Sequence, residues 1–331
     1  MAEAMPGISD LLFIPGQPPQ MDCLGQLRAY EGGLAEPVVS PQFTAELAAT
    51  LIDSSEMLKA NLQNNGSCDC AYAVPGIVRF RANIYRQMGH LAIVMRKLPT
   101  VIPTLEQLGM PEVFAQIVKE RNGIIFITGA AGMGKTTTLA AILNEINRTE
   151  PVHIITLEDP VEYLHSPKLA TFSQRELGRD FFSYPEGLRA AMRQAPRVIL
   201  VGEIRDRETM EAALAAADTG HTVFTTLHTV DAAQTINRIV GMFKKEEEHL
   251  VRLRLSSTLR WVVSQRLIGK EGGGLQLVTE VMGSSLRSRE ALLLGESEKR
   301  NLHEIIESGV APYGWHSFWV SLSPSMSRPV P

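Results

Sequence analysis

The chain has 331 residues, room for about two domains at roughly 150 residues each. Hydrophobic residues make up 44% and charged residues 21%, a globular balance that excludes a mainly disordered chain. Lys and Arg number 32 against 36 Asp and Glu, a net charge of −4; this disfavours a nucleic-acid partner, which calls for a basic excess.

Cys23, Cys68 and Cys70 are too few and too odd in number for a disulfide framework, so a reducing compartment is expected. Cys68 and Cys70 lie one residue apart with no second pair following, which argues against structural zinc. No window of about 18 uncharged apolar residues exists, and the acidic start MAEAMPGISD is not a secretory signal. The expectation is a cytoplasmic protein with no direct membrane insertion.

Residues 1–99 read as a small α+β domain. A helix is predicted from Gln42 to Leu62, where Leu47, Leu51, Met57 and Leu58 recur at near-helical spacing. From Ile77 to Tyr85, polar Arg79, Arg81 and Asn83 alternate with Val78, Phe80, Ala82 and Ile84; Ala92 to Arg96 is its expected hairpin partner. The prolines from Lys97-Leu98-Pro99 to Ile102-Pro103 mark a linker, assigned to 100–111.

Residues 112–318 change rhythm. Gly123 to Thr128 (GIIFIT), Val152 to Leu157, Arg197 to Val201 and Thr222 to Leu227 are β-branched runs separated by helical stretches. One of these helices carries Leu139, Ile142, Leu143 and Ile146 on one face, and another is capped by Asp206 and closed near Gly220. Strands alternating with helices predict an α/β fold with a parallel sheet covered on both faces. Residues 319–331, rich in Ser, Pro and Arg, read as a disordered tail.

Gly129-Ala130-Ala131-Gly132-Met133-Gly134-Lys135-Thr136 fits G-x-x-x-x-G-K-[ST] at every fixed position, between a predicted strand and a predicted helix. Glycines let backbone amides curl around a phosphate, and the helix N-terminus adds partial positive charge. Lys135 supplies charge to the β- and γ-phosphates, Thr136 offers a hydroxyl to Mg²⁺, and Thr137 is placed near the α-phosphate. Arg197 to Val201 leads to Glu203, the form of a Walker B strand ending in a metal-holding acid. Acids in TLEDPVE, ending at Glu162, follow the preceding strand, and such carboxyl ends converge on the ligand crevice of parallel sheets. His228 closes Thr222 to Leu227 at the end suited to a γ-phosphate or its attacking water. His221 lies at the opposite end of that run, and His90, His153 and His165 receive no functional role.

The P-loop, TLEDPVE, VILVGEIRD and TGHTVFTTLHT occur in that order. Together they resemble the type II/IV secretion ATPase superfamily, most closely its PilT-like pilus-retraction branch, over about residues 9–318. The resemblance implies a PAS-like domain followed by a RecA-like P-loop ATPase domain with a C-terminal helical subdomain. It also implies ATP and Mg²⁺ as cofactors, with ATP between domains and near a neighbouring subunit. The expected assembly is a homo-hexamer at the cytoplasmic face of the inner membrane, joined by a pilus platform protein and a paralogous pilus ATPase.

By the same resemblance Glu162 is the water-activating acid and Glu203 the acid near Mg²⁺, the exchange of these two roles being the alternative. His221 and His228 match the histidine box. Arg175, Arg189 and Arg193 match arginines that approach phosphates or a subunit interface, and Arg79 and Arg81 match a strand facing the nucleotide. The chain departs from the retraction branch where Ala-Ile-Arg-Asn-Leu-Ile becomes Arg287-Ser288-Arg289-Glu290-Ala291-Leu292, with only Arg289 matching. Pilus retraction is the leading expectation, an assembly or accessory ATPase the alternative, and a RecA-type nucleic-acid motor the rival of another class.

Overall fold

The alternation in the first hundred residues becomes a six-stranded sheet, and the buried β-branched runs become a second sheet of seven strands. The computed structural model describes residues 1, 7–23, 25–30, 32, 37–269, 274–297 and 300–318. Contacts divide the chain into two units. The first takes Met1–Val101 together with Glu158–Leu164 and Arg175–Phe182; the second takes Ile102–Leu157, His165–Gln174 and the chain from Ser183 onward. The acidic box and a later loop thus belong to the first unit, a division that is not contiguous in sequence.

In the first unit the elements run β1 (Ile8–Phe13), β2 (Gln20–Cys23), β3 (Gln26–Ala29), α1 (Pro41–Ile52), α2 (Glu56–Asn65), β4 (Ser67–Val74), β5 (Val78–Gln87) and β6 (His90–Leu98). The sheet order is β3-β2-β1-β6-β5-β4, antiparallel between neighbours. On β5, Val78, Phe80, Ala82 and Ile84 are buried while Arg79, Arg81 and Asn83 stand on the other face, the period of two that a pleated strand imposes. Lys97 and Leu98 are the end of β6.

The single helix predicted over 42–62 is two. Ser40 caps α1 by accepting from Phe43 N, and Ser55 caps α2 by accepting from Leu58 N. Between them Asp53 sits at φ 50, so short polar side chains there favour caps and a turn over continued helix. Leu51, Ile52, Leu58 and Leu62 nevertheless reach one core with Ala82, Ile84 and Ile93. The thiols of Cys68 and Cys70 are buried and free. Burial raises both pKa values, Cys70 to about 12, so neither is a ready thiolate.

The second unit contains α3 (Phe114–Ile117), β7 (Gly123–Thr128), α4 (Lys135–Thr149), β8 (His153–Glu158), β9 (Thr171–Glu176), α5 (Tyr184–Ala191), β10 (Val198–Val201), α6 (Arg207–Asp218) and β11 (Thr222–Leu227). It continues with α7 (Ala232–Val240), α8 (Glu248–Thr258), β12 (Leu259–Gly269), β13 (Leu275–Gly283), α9 (Leu286–Leu294) and α10 (Leu302–Tyr313). A few residues of β8 and β9 count with the first unit by their contacts. The sheet order is β13-β12-β7-β11-β10-β8-β9. From β12 to β8 the neighbours are parallel, and β13 closes one edge antiparallel to β12.

Every residue of β7, β10 and β11 is buried, so these strands read as apolar runs rather than alternation. Asp206 caps α6 through Thr209 N at 2.8 Å, and Gly220, at φ +96, follows its end. The divergent 287–292 segment lies on α9, with Ser288, Ala291 and Leu292 buried. Trp315 is buried beside Gly283 and Gly309, where an added Cβ would approach its ring to 2.6 and 2.2 Å. The tail expected at 319–331 lies outside the described residues. Among the described residues no helix is long and apolar enough to cross a membrane.

His165, given no functional role, packs as a core ring. It stacks on Phe172 with centroids 4.3 Å apart, and burial lowers its pKa from 6.5 to about 4. The unfolded chain therefore binds a proton between these values that the folded chain refuses, so stability falls as pH drops from 6.5 towards 4. This group accounts for a loss of roughly 3 kcal/mol. The His165→Phe variant keeps a flat ring on Phe172 and should lose that acid-side slope, which urea denaturation at stepped pH measures.

Candidate nucleotide site

β7 ends on Thr128, and the loop that follows turns on three glycines with positive φ: Gly129 at +145, Gly132 at +78 and Gly134 at +79. A side chain is strained at each of these angles. At Gly129 a Cβ would also come within 2.6 Å of the Gln265 carbonyl on β12. Ala130 and Ala131 are exposed at the loop's crest, while Met133 and Gly134 are partly covered. α4 then starts at Lys135 with no side-chain cap, so its first amides are open to an anion. Thr136 and Thr137 lie in this first turn, both partly exposed.

Lys135 is 8% exposed. Its ammonium donates to Gly129 O at 2.7 Å and to Ala130 O at 2.9 Å, and stands 3.5 Å from His228 Nδ1. Burial lowers its pKa, and the nearby Glu203 carboxylate works against that lowering. Glu203 follows β10, and its Oε2 lies 3.4 Å from His228 Nε2. Its other oxygen pairs with Arg205. Parallel pairing of β10 with β11, Val201 opposite Thr225, carries Glu203 and His228 to the same end of the sheet. Thr226 Oγ1 ties that register by donating to Gly202 O at 2.7 Å.

A second cluster forms within the first unit. Arg79 donates to Val161 O at 2.7 Å and Glu162 O at 2.9 Å. Burial lowers its pKa, and Glu176 and Glu158 oppose the shift. Arg81 Nη1 is 3.7 Å from Glu162 Oε1, and its Nε is 3.4 Å from Asp69 Oδ1. Glu176 Oε2 accepts from Val161 N at 3.1 Å. The acidic box is therefore gripped by the fork of Arg79 and by Glu176, leaving the Glu162 carboxylate in one loose ion pair. The family resemblance implies that Arg79 faces a nucleotide; its side chain here is engaged by backbone carbonyls.

The remaining candidates make other contacts. Arg175 donates to Asp180 O at 2.6 Å and lies over Phe181 at 5.7 Å. Arg189 pairs with Glu186 on α5, and Arg193 donates to Arg189 O at 2.9 Å. His221 Nδ1 is 3.0 Å from Ala216 O and 3.2 Å from Thr219 Oγ1, at the end of α6. It lies across the length of β11 from His228. Sequence reasoning did not single out Arg205, Asp69, Glu176 or Gln265. Arg205 stands in VGEIRD itself, but nothing in a spacing shows which carboxylate an arginine meets.

Magnesium binds hard oxygens and usually takes one or two carboxylates, with phosphates and waters completing its shell. Among the described residues no group of three or more His, Cys, Asp or Glu could hold a metal. The Thr136 hydroxyl and the Glu203 carboxylate are oxygen donors of the right class, so the residues fit a cation shared with a bound polyphosphate.

A mostly parallel sheet with a glycine-turned loop feeding a helix, a buried lysine and a carboxylate one strand over from its neighbour defines a P-loop nucleotide hydrolase. The family model for the Type II/IV secretion system protein matches residues 32–280, and the chain belongs to that family of ATPases. It is 39% identical over 307 residues to the type IV pilus retraction ATPase PilT of Pseudomonas aeruginosa, covering 92% of this chain and 87% of that protein. It is 38% identical over 274 residues to a twitching motility protein of Neisseria gonorrhoeae, covering 82% and 73%. A crystal structure of the pilus retraction motor PilT with bound ADP aligns with TM-score 0.80 at 36% identity, over 97% of this chain and 94% of that one.

The grip on the acidic box is directly testable. Arg79→Ala strips two carbonyls of their donor and should destabilise the protein by about 1–3 kcal/mol. Arg79→Lys, a point charge without the planar fork, should recover only part of this in guanidinium denaturation.

Proposed function

We propose that this chain is a magnesium-dependent ATPase that powers retraction of a type IV pilus, acting as a homo-hexameric ring. Its partners are a pilus platform protein of the inner membrane and a paralogous pilus ATPase, met at the cytoplasmic face. The observation that carries the reading is the Lys135–His228–Glu203 constellation at the P-loop, in a chain this similar to PilT along nearly its whole length.

ATP enters the loop through its β- and γ-phosphates, whose oxygens compete with Gly129 O and Ala130 O for the Lys135 ammonium. The amides of residues 129–134 and the first turn of α4 add directed N–H donors that cost no reorganisation as charge builds on the transferring phosphoryl group. Thr137 supports the α-phosphate side. Magnesium, held by Thr136 and Glu203, would supply charge neutralisation between the phosphates.

Two features support Glu162 as the acceptor of the water proton and Glu203 as the metal-side acid. Glu203 is clamped by His228 and Arg205, which suits a fixed ligand. Among the described residues the Glu162 carboxylate pairs with Arg81 at 3.7 Å, a looser hold than the one on Glu203. His228 reports the state of the γ-phosphate to Glu203, and His221 belongs to the same histidine box. Arg189 and Arg193, exposed along and just after α5, serve a neighbouring subunit's phosphates, with Arg175 in the same role. Loss of the γ-phosphate removes contacts that favour one conformation, and that difference is what a motor converts to work.

The divergent 287–292 segment favours a second reading, an accessory or assembly-direction ATPase. The acidic net charge weighs against a nucleic-acid motor.

Lys135→Ala should reduce phosphate release roughly a hundredfold or more; turnover at the wild-type rate would overturn the ATPase assignment. Deletion of the gene separates the directions of motion. Surplus pili without twitching is the expected outcome, whereas cells without pili would establish assembly instead.

A further inference from the structure

Behind the phosphate loop, strand β12 presents a polar side chain that no P-loop pattern predicts. Gln265 is 1% exposed. Its Nε2 donates to Met133 O at 3.2 Å, while its Oε1 is buried with no hydrogen-bond partner among the described residues. The orientation follows from the chemistry, because only the NH₂ end of an amide can face a carbonyl. The same strand touches the loop twice more. Leu267 N donates to Met133 Sδ at 3.3 Å, and the Gln265 carbonyl lies where a Cβ on Gly129 would be, at 2.6 Å.

We propose that Gln265 is a positioning residue for phosphate binding: its amide holds the Met133 carbonyl against β12 and thereby aims the Gly134 N–H at the bound β-phosphate. The link is the planar trans peptide. The Met133 C=O and the Gly134 N–H belong to one unit and point in opposite directions. A carbonyl anchored outward on β12 therefore sends the amide inward, to the concave side of the loop. An unanchored peptide here flips easily, since Gly134, at φ +79, loses little by changing conformation.

The bare Oε1 separates this role from simple packing. A buried acceptor without a partner costs stability, and a leucine would fill similar space without that cost. The amide thus holds the Met133 carbonyl at the cost of one unmet acceptor, a balance that suits a group placed for the loop rather than for packing.

This inference rests on the P-loop binding nucleotide, and the experiment keeps the two apart. Inhibition constants of pyrophosphate and of adenosine are measured against a fluorescent ADP analogue, alongside the melting temperature of the full chain. Wild-type protein that binds neither ADP nor pyrophosphate would sink the nucleotide reading itself, and this inference with it. With wild-type binding present, Gln265→Leu should weaken pyrophosphate by roughly tenfold, the worth of one well-placed hydrogen bond. Adenosine should be unchanged, and the melting temperature reports that the variant is folded. Gln265→Met supplies the same readings should the leucine variant fail to fold, and Gln265→Glu, which cannot donate as a carboxylate, should weaken pyrophosphate at least as much. Pyrophosphate affinity within twofold of wild type, or an equal loss for adenosine, would overturn the positioning role.

Discussion

Burying an ammonium is costly unless acceptors and counter-charge surround it, and the second unit is built around meeting that cost for Lys135. Two loop carbonyls at 2.7 and 2.9 Å take its hydrogens, and Glu203 supplies the opposing charge. Both carbonyls are available only because Gly129 adopts φ +145 and lets the chain fold back over the start of α4. Remove the lysine, and those carbonyls and the carboxylate lose their reason to converge. The parallel register of β7, β11 and β10 brings the three pieces to one end of the sheet, so strand pairing is already part of the site's electrostatics.

The first unit solves a similar problem differently. Arg79 cannot lose its charge at neutral pH, and it sits on a strand whose other face is core. Its planar fork meets two consecutive carbonyls, Val161 O and Glu162 O, while Glu176 and Glu158 offset its burial. A lysine would offer one point charge where two parallel acceptors wait. The backbone of the acidic box is thereby fixed, and the freedom that remains belongs to the Glu162 side chain.

What the sequence made legible follows from how each signal is encoded. β7, β10 and β11 are covered on both faces, so their apolar runs stand out, and the glycines at 129, 132 and 134 mark backbone angles that other residues resist. Asp206 and Gly220 punctuate α6 for equally local reasons. Features that depend on partners far away in the chain left no such trace. The helix expected over 42–62 breaks at Asp53 because Ser40 and Ser55 each start a helix, and a periodicity count passes over caps. β12 mixes Arg, Gln and Ser among apolar residues and was not seen as a strand, so Gln265 was missed with it. The resemblance marked Arg79, but its backbone partners, 82 and 83 residues away, left no trace in the sequence.

His228 shows why these distant partners matter chemically. Its Nδ1 faces the Lys135 ammonium at 3.5 Å and its Nε2 faces the Glu203 carboxylate at 3.4 Å. An ammonium has only hydrogens to give, so Nδ1 must accept; a carboxylate only accepts, so Nε2 must carry the hydrogen. The imidazole thus bridges the lysine of the cradle and the acid that follows β10. Under the proposed function, a phosphate that draws Lys135 away would change the demand on Nδ1, and with it the hydrogen bond that Nε2 offers Glu203, so that occupancy of the loop and this contact would shift together.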